Sequence, residues 1–347
     1  MGLKENYAKV KVFWNDSDKK PVLLMLKEFF GLWAIKKSFP IHYIIRFLYR
    51  NEYKNPYDYL DMKQYRSIIL SKKNNQEEYV HLLSDKFLFS LLCEKYGLPS
   101  PKVVSYNMNG SFFYNGKVQS AGIVEELFEC FKNVLQTSGV KRLFIKSFCG
   151  YGGTEVFLLE YSSLKEDLKK FGNIILTGAF VHQEGIVQHA EVNKIYPHSI
   201  NTLRVETYIE NSGKINILGM VMRFGAGGKF VDNLSSGGFS VPVEPLTGNL
   251  MPKGLQRIRF GGNVYYRHPD TDFEFKGYKI PYFNEARQLC LQLAQHIPNR
   301  LVGWDIALTP NGPVVIEGNH TPGIMLGEIG YGGYVKHPLF NEMIGRT

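Results

Sequence analysis

Cysteine is scarce in this 347-residue chain: there are only four, and no two of them form a C-x-x-C pair. Cys93, Cys130, Cys149 and Cys290 are therefore not spaced as zinc ligands, and they are too few and too far apart to indicate a disulfide framework. The beginning of the sequence also lacks the basic segment, apolar run and small-residue cleavage site of a secretory signal. These absences lead us to expect a protein of a reducing compartment, by default the cytoplasm.

A long uninterrupted apolar run is also missing. The most apolar stretch, within residues 21–50, is interrupted by charged residues, whereas a membrane-spanning helix needs about 20 consecutive apolar residues. Two interpretations of this stretch stay open. It could form a helical hairpin, broken at Pro40, that packs on the protein's own core, or it could make a peripheral contact with the inner face of a membrane, because its aromatic residues alternate with basic ones.

Acidic residues are outnumbered: 41 Lys and Arg against 32 Asp and Glu give a formal net charge of +9. Such an excess favours an anionic partner such as a nucleotide or an acidic glycan. A nucleic-acid partner is not expected, because only residues 36–54 approach the basic stripe with interleaved aromatics that it would need. With 44% apolar and 14% aromatic residues, the chain can bury a core large enough for two or three subdomains.

The pattern along the chain predicts an α+β protein. Residues 1–75 look helical and basic, the polar run 72–78 is suited to a linker or an exposed turn, and apolar residues at helical spacing predict a helix from His81 to Lys95. From residue 141 onward, the pattern changes to short strands separated by turn residues. Further helices are expected at Ser163–Phe171 and Phe283–His296, and strands at Leu143–Lys146, Val156–Glu160, Phe180–Gln183, Leu203–Glu210, Ile215–Arg223, Val302–Leu308 and Val314–Glu317.

A glycine-rich segment lies between two of these strands, where CGYGGT at residues 149–154 closely follows FIK at residues 144–146. Glycines allow backbone N–H groups to approach phosphate oxygens without an intervening Cβ atom. Lys146 would add a mobile positive charge to the same phosphates. This combination indicates a phosphate-binding loop, although many glycine-rich hairpin loops bind no ligand.

Three oxygen-bearing side chains lie on the last two predicted strands, which contain GWDIA at residues 303–307 and VIEGN at residues 315–319. If the strands form a hairpin, Asp305 lies close to Glu317, while Glu317 and Asn319 project to the same side. Mg²⁺ prefers such hard oxygen ligands. The alternative is a solvated hairpin, which is disfavoured because the two carboxylates are embedded in apolar runs, where an unpaired charge would be costly.

Arginine, asparagine and glycine are concentrated between residues 199 and 238. Arg204 and Arg223 fall on neighbouring predicted strands, and their forked donors are suited to a phosphate or to charge that builds up in a transition state. A surface salt bridge is the simpler explanation for either arginine alone. The predicted hairpin and the nearby glycines favour a functional role for the pair.

Taken in order, these segments resemble the ATP-grasp superfamily, most closely its sugar-transfer-associated branch. The likeness runs from about residue 83 to residue 330. The most specific parts are the GWDIA and EGN motifs near the C-terminus. The others are DK at 85–86, GLPSP at 97–101, IKSFCGYGGT at 145–154, VHQEGI at 181–186, SINTLR at 199–204 and MRFG at 222–225.

The resemblance implies an ATP-grasp fold, in which two α+β subdomains clasp ATP. A helical region at 1–75 would precede an N-terminal lobe at 76–190, which carries the glycine-rich lid loop, and a C-terminal lobe at 191–347, which carries the metal site. The cofactors implied are ATP and Mg²⁺. The implied site consists of Asp305, Glu317 and Asn319 at magnesium, Arg204 and Arg223 at the γ-phosphate and an acyl-phosphate, Lys86 and Lys146 at the nucleotide phosphates, Gly150, Gly152, Gly153 and Thr154 in the lid loop, Gln183, Glu184 and Ile186 at adenine, and Glu191 at the ribose.

The activity implied is carboxylate–amine ligation, in which ATP phosphorylates a carboxylate and an amine attacks the resulting acyl-phosphate. Positioning and charge neutralisation do most of the work in phosphoryl transfer, which agrees with the lack of any evident Ser-His-Asp or Cys-His arrangement. The branch adds a context of surface-polysaccharide biosynthesis, with a small-molecule or sugar-linked carboxylate and an amine as partners. A kinase that phosphorylates a hydroxyl and a non-catalytic nucleotide-binding module remain alternatives.

One position departs from the pattern of related amino-acid ligases. They often carry an arginine two residues before the first metal carboxylate, where this chain has Gly303. Arg223 could substitute for it from a neighbouring strand. The first hundred residues also look helical where many relatives have an α/β lobe that helps to bind the acceptor, so the acceptor is not identified by the resemblance.

Overall fold

In the computed structural model, which describes residues 3–150 and 156–346, helices are combined with two antiparallel sheets. This combination confirms the predicted α+β class. Short 3₁₀ turns occur at Pro56–Asp58, Leu234–Ser236 and Ile258–Phe260. The helices are α1 (Leu3–Asn15), α2 (Val22–Lys36), α3 (Ile41–Ile45), α4 (Met62–Ile69), α5 (Glu77–Ser84), α6 (Lys86–Lys95), α7 (Val124–Thr137), α8 (Leu164–Thr177), α9 (Ala190–Asn193), α10 (Phe283–His296), α11 (Met325–Tyr331) and α12 (Phe340–Met343).

The two sheets come from successive parts of the chain. The first contains β1 (Val103–Met108), β2 (Ser111–Tyr114), β3 (Lys117–Ser120), β4 (Arg142–Ser147), β5 (Val156–Glu160) and β6 (Ala179–Glu184), in the spatial order β3-β2-β1-β6-β4-β5. The second contains β7 (Thr202–Ile209), β8 (Ile215–Phe224), β9 (Phe239–Pro242), β10 (Gly254–Gln256), β11 (Val264–Tyr265), β12 (Leu301–Thr309) and β13 (Gly312–Asn319), in the order β11-β10-β9-β8-β7-β12-β13. The lobe boundaries at residues 76 and 191 stay predictions.

The predicted strands are all present, and helix α10 has the predicted bounds. Helix α8 continues six residues past its predicted end at Phe171, to Thr177. Helix α7 was not predicted, although Leu127, Phe131 and Val134 are buried at helical spacing along one of its faces. That face packs with α8 in the core that covers the first sheet.

The helix predicted from His81 to Lys95 is in fact two helices, α5 and α6, separated at Asp85. The Asp85 carboxylate accepts hydrogen bonds from the backbone N–H groups of Phe87 and Leu88, both at 2.9 Å. This N-cap satisfies donors that would otherwise be unpaired and so starts a new helix. Apolar periodicity alone does not reveal such a break.

The polar run 72–78 is a mostly exposed turn that leads into α5, and it is held in place by one buried residue. Asn74 is buried, and its side-chain amide donates to the carbonyl oxygens of Ile68 (2.9 Å) and Met343 (2.8 Å). The backbone carbonyl of Asn74 accepts the backbone N–H of Arg300 at 3.0 Å. A polar side chain whose donors are satisfied can be buried, and this one joins the N-terminal region to the end of the chain.

The core of the second sheet also includes the helices that precede the first sheet. Leu83 of α5 and Phe89 of α6 lie in the same buried cluster as Trp304 of β12, whose indole N–H donates to Thr207 Oγ1 at 2.8 Å. The backbone N–H of Lys86, at the start of α6, donates to the Phe148 carbonyl at the end of β4 (2.8 Å). Helix α6 therefore connects the two sheets.

The N-terminal segment forms a helical hairpin, one of the two structures considered for it, with α2 and α3 separated at Pro40. Leu32, Tyr43 and Phe47 are buried in its own hydrophobic cluster. The opposite side of α2 is exposed. No helix in the described part of the chain is long and apolar enough to span a bilayer.

A buried ion pair attaches this hairpin to the C-terminal part of the chain. The Arg46 guanidinium donates to the Glu328 carboxylate of α11, and both side chains are buried. Glu328 also accepts the backbone N–H groups of Leu60 (2.5 Å) and Tyr334 (3.1 Å). Burial raises the pKa of Glu328, and the charge of Arg46 opposes that rise.

We expect Glu328→Ala to lower the free energy of unfolding by about 3–5 kcal/mol, because it leaves the Arg46 charge buried without its partner. Urea denaturation followed by circular dichroism measures this change. Glu166→Ala is the matched control, since Glu166 pairs with Lys169 on the exposed surface of α8, and it should cost less than about 1 kcal/mol. Equal effects of the two substitutions would contradict a structural role of the buried pair.

Candidate active site

The three predicted metal ligands lie together at the paired strands β12 and β13. Asp305 is the cross-strand neighbour of Glu317, and Gly303 is that of Asn319. The side-chain amide nitrogen of Asn319 lies 3.4 Å from Asp305 Oδ2 and 3.3 Å from Glu317 Oε1. The predicted hairpin and the convergence of the three side chains are therefore present, while metal binding itself stays a prediction.

The chemistry of these side chains fits a divalent cation. Glu317 makes no ion pair within the described residues, and its pKa is raised by burial and by the charge of Asp305. A partly buried carboxylate without an ion-pair partner is unfavourable, and a bound cation would reduce that cost. Two carboxylates and one amide are among the oxygen ligands that Mg²⁺ accepts. Within the described residues, no group of three or more His, Cys, Asp or Glu could hold a metal ion, so this candidate site has only two carboxylates and an amide.

Asp305 is also the centre of a buried ion-pair network. Arg204 of β7 donates to both of its oxygens, from Nε at 2.5 Å and from Nη2 at 3.1 Å, and Arg223 of β8 donates from Nη2 at 2.9 Å. Burial would raise the pKa of Asp305, but the two guanidinium groups hold it below its ordinary value. The two arginines thus lie on neighbouring strands beside the carboxylates, as the sequence predicted.

Two further residues position Arg223 and were not among the predicted site residues. Thr202 Oγ1 accepts from Nε and Nη2 of Arg223, at 2.8 Å and 2.6 Å. Asp232 lies 3.4 Å from Nε of Arg223 and accepts both the N–H (2.9 Å) and the hydroxyl (2.5 Å) of Thr202. Both belong to the arginine- and asparagine-rich stretch, but only the folded chain brings residues 202 and 232 together.

The space beside the glycine at position 303 is taken by Pro322 and by Arg204. A Cβ atom on Gly303 would lie 2.8 Å from Pro322 and 3.2 Å from Cδ of Arg204. The Arg204 side chain therefore fills the space beside residue 303, so an arginine at 303 would collide with it. Both Arg204 and Arg223 contact Asp305, so the substitution of Arg223 for an arginine at 303 stays a prediction.

The two predicted phosphate lysines approach the carboxylates from the first sheet. Lys146 lies on β4, and Lys86 begins α6 and donates from Nζ to the carbonyl of Gly150. Burial lowers the pKa of Lys146 to about 8, while the charge of Glu317 opposes this shift and that of Lys86 adds to it. The three charges are thus within electrostatic reach of one another, at a place where a phosphate chain could lie between the lysines and the carboxylates.

The lid loop is only partly described. Gly150 accepts the hydrogen bond from Lys86, which holds the beginning of the loop beside α6. Gly152, Gly153 and Thr154 lie outside the described residues, so their contact with phosphates stays a prediction.

Gln183, predicted to contact adenine, carries an unpaired buried acceptor. Its Nε2 donates to Ser90 Oγ at 2.9 Å, and the Ser90 hydroxyl donates to the Lys86 carbonyl at 2.7 Å. Gln183 Oε1 is buried and has no hydrogen-bond partner in the described structure. An unsatisfied buried acceptor costs about 1–3 kcal/mol, and an amino group such as that of adenine would satisfy it.

Three other residues are predicted to contact the nucleotide: two lie at the end of β6 and one lies at the surface. Glu184 accepts the backbone N–H of Lys102 at 3.1 Å, and the carbonyl of Ile186 accepts from Arg142 at 3.1 Å. These bonds fix the backbone at the end of β6. Glu191 instead lies at the surface, 2.7 Å from Lys194 in an exposed ion pair. Its contact with the ribose stays a prediction.

The sequence of residues 65–341 matches the family model of sugar-transfer associated ATP-grasp proteins. The chain therefore belongs to this ATP-grasp family, and the resemblance inferred from its motifs is confirmed. No curated protein matched the sequence.

Several solved structures are similar to this chain at low sequence identity. The ATP-grasp ligase PsnB complexed with minimal precursor is 14% identical, with a TM-score of 0.44 over 79% of this chain and 64% of that one. D-alanyl-alanine synthetase A from Vibrio cholerae is 10% identical, with a TM-score of 0.45 over 76% and 64%. N5-carboxyaminoimidazole synthetase from Staphylococcus aureus complexed with ADP is 13% identical, with a TM-score of 0.41 over 70% and 45%. This chain spans less than two thirds of each, so the family assignment rests on the sequence match.

We expect ATP with Mg²⁺ to raise the melting temperature of the protein by several degrees, because a ligand of the folded state stabilises it by mass action. Glu317→Gln should abolish the magnesium dependence of this shift. Without ligands, the same variant should be at least as stable as the unmodified protein, because the carboxylate that it removes is partly buried and has a raised pKa.

Differential scanning fluorimetry measures both effects. Glu129→Gln is the control, because it removes an exposed carboxylate of α7 and should leave the magnesium-dependent shift intact. An unchanged magnesium dependence in Glu317→Gln would remove this residue from the metal site.

Proposed function

We propose that this protein is an ATP-dependent carboxylate–amine ligase that works through an acyl-phosphate. The observation that carries the proposal is that two sets of charges meet, one from helix α6 and the first sheet and the other from the second sheet. Lys86 and Lys146 come from one side, and Glu317 and Asp305, the latter bound by two arginines, come from the other. Membership of the ATP-grasp family supports the same assignment.

In this proposal, the triphosphate of ATP lies between the lysines and the carboxylates. Asp305, Glu317 and Asn319 would hold Mg²⁺, which neutralises phosphate charge when bound. The unpaired acceptor of Gln183 would receive the amino group of adenine. Lys86 also ties the start of the lid loop to this place.

The first step transfers the γ-phosphoryl group to the acceptor. A carboxylate oxygen of the acceptor attacks the γ-phosphorus, the bond to the bridging oxygen breaks, and ADP leaves. The acceptor is already an anion, so no general base is needed, whereas a hydroxyl acceptor would need one. Positioning and charge neutralisation suffice for this step.

The second step forms the amide. The amine lone pair attacks the acyl carbon, the bond to the phosphate oxygen breaks, and the nitrogen loses a proton as phosphate leaves. Within the described residues, Nη1 of both Arg204 and Arg223 has no hydrogen-bond partner. These two donors are available to stabilise the negative charge of the phosphate and of the tetrahedral intermediate.

We further propose that the carboxylate belongs to a sugar or a sugar nucleotide used in surface-polysaccharide biosynthesis. Arg257 is exposed, and its pKa is lowered by partial desolvation and by the positive charges of Arg259, Arg204 and Arg223. This side of the site therefore has an excess of positive charge beyond the ion pairs at Asp305, which suits an acidic acceptor. The sugar-transfer association of the family agrees with such a substrate.

We expect ADP release only when a suitable acid and an amine are both present. A coupled assay over pairs of uronic acids or their nucleotides with amino acids and amino alcohols measures it. Arg223→Ala should lower kcat by about 10²–10³-fold, as the loss of one charge-stabilising donor does in other enzymes. Arg267→Ala, which removes an exposed arginine paired with Asp272, should leave kcat unchanged.

A different result of the same assay would contradict the ligase assignment. ADP release with a sugar alone, accompanied by phosphate on a sugar hydroxyl, would replace the ligase assignment with that of a kinase.

A further inference from the structure

Helix α2 is apolar on the side that faces solvent as well as on the side that packs. Its packed side includes Leu32, which is fully buried. On the opposite side, Leu23 is 83% exposed, Leu26 49%, Phe30 57% and Trp33 46%. A helix that is apolar all round is normally covered on every side, yet the described chain covers only one side of α2.

The exposed side chains form one continuous patch. The rings of Phe30 and Trp33 stack with their centroids 6.5 Å apart, and Trp33 meets the ring of Phe39 edge to face at 5.8 Å. Phe39, in the turn after α2, is 57% exposed. We name Leu23, Leu26, Phe30, Trp33 and Phe39 the apolar face of α2.

The exposed charged residues of the segment that carries the apolar face are all positive. Glu28 is the only acidic residue between positions 21 and 41, and it is buried, 2.8 Å from Lys20, where it also accepts the hydroxyl of Tyr43 at 2.6 Å. The exposed charged residues of this segment are Lys27 and Lys37. The solvent side of α2 therefore combines large apolar and aromatic side chains with positive charge alone.

We propose that the apolar face of α2 binds the surface of an anionic lipid bilayer. Aromatic and aliphatic side chains enter the boundary between headgroups and acyl chains, and lysines beside them contact the anionic headgroups. A 15-residue helix is about 22 Å long, and its packed side keeps it parallel to the protein surface, so it would lie in the plane of the membrane. This inference is independent of the proposed ligase activity.

A second copy of the chain fits the same face less well. In a two-fold symmetric contact, the same patch meets itself, which brings Lys27 and Lys37 of one copy close to those of the other. Like charges brought together in this way oppose association. An anionic bilayer instead complements both lysines.

Tryptophan fluorescence can follow the binding. The chain has three tryptophans, of which Trp304 is fully buried, while Trp14 and Trp33 are exposed. In the Trp14→Phe protein, Trp33 is then the only exposed tryptophan. We expect vesicles of phosphatidylglycerol and phosphatidylcholine to shift its emission to the blue and to carry the full-length protein upward in a flotation assay.

Two double variants separate the contribution of the apolar face from that of the lysines, and a single variant elsewhere serves as the control. Leu23→Glu with Phe30→Glu should abolish flotation. Lys27→Gln with Lys37→Gln should weaken binding about 5-fold for each lysine removed, since a basic residue near an anionic surface contributes about 1 kcal/mol. Leu246→Glu is the control: it places a glutamate at a site outside α2 that is 85% exposed. This variant should bind vesicles as the unmodified protein does. Circular dichroism of every variant establishes that it is folded.

Three results would overturn the proposal. The first is no binding to anionic vesicles by the folded, unmodified protein. The second is equal binding to vesicles of phosphatidylcholine alone, which would exclude the role of the lysines. The third is a dimer in light scattering that Leu23→Glu with Phe30→Glu converts to a monomer, without any vesicle binding, which would assign the apolar face to a second copy of the chain.

Discussion

The active-site end of the molecule depends on the buried carboxylate of Asp305 and the two guanidinium groups that hold it. A carboxylate in the middle of a sheet is costly unless opposite charges and hydrogen bonds compensate it. Arg204 and Arg223 provide them from adjacent strands, and Thr202 and Asp232 hold Arg223 in place. The pairing of β12 with β13 then sets Glu317 and Asn319 beside the same carboxylate, so one network positions the arginines and the candidate metal ligands together.

Helix α6 extends this arrangement to the first sheet. Phe89 packs in the core of the second sheet, while the N-terminal residue of the helix, Lys86, bonds through its backbone to the end of β4. The helix thereby places Lys86 near β4, the strand that carries Lys146. Both lysines lie within electrostatic reach of Glu317. In the proposed reaction, the site needs no side-chain nucleophile, since it acts by placing ATP and an anionic acceptor among charges that the fold has already arranged.

The sequence was most informative where function depends on short-range spacing. Glu317 and Asn319 are two residues apart on a strand, so their shared face could be predicted, and the intervening turn predicted the contact with Asp305. The contact between Thr202 and Asp232 could not be predicted, because it depends on how a 30-residue segment folds back. The capping of α6 by Asp85 and the burial of Asn74 likewise depend on individual hydrogen bonds that apolar periodicity does not report.

Other features needed the three-dimensional surroundings. Gly303 departs from the pattern of related ligases, and the folded chain shows Pro322 and the Arg204 side chain in the space that a larger residue would need. The aromatic and basic residues around α2 left two interpretations open, and the structure shows that one side of the helix packs on the protein while the other is exposed. Glu191, which the resemblance places at the ribose, forms a surface ion pair with Lys194, and its contact with the ribose stays a prediction.

A crystal structure with Mg²⁺ and a non-hydrolysable ATP analogue tests the central claim most directly. The account predicts a metal ion about 2.0–2.1 Å from oxygens of Asp305, Glu317 and Asn319, with the phosphates in contact with Lys86 and Lys146. It also predicts the adenine amino group at Gln183 Oε1. A nucleotide bound elsewhere, or a metal held without Glu317, would contradict the account.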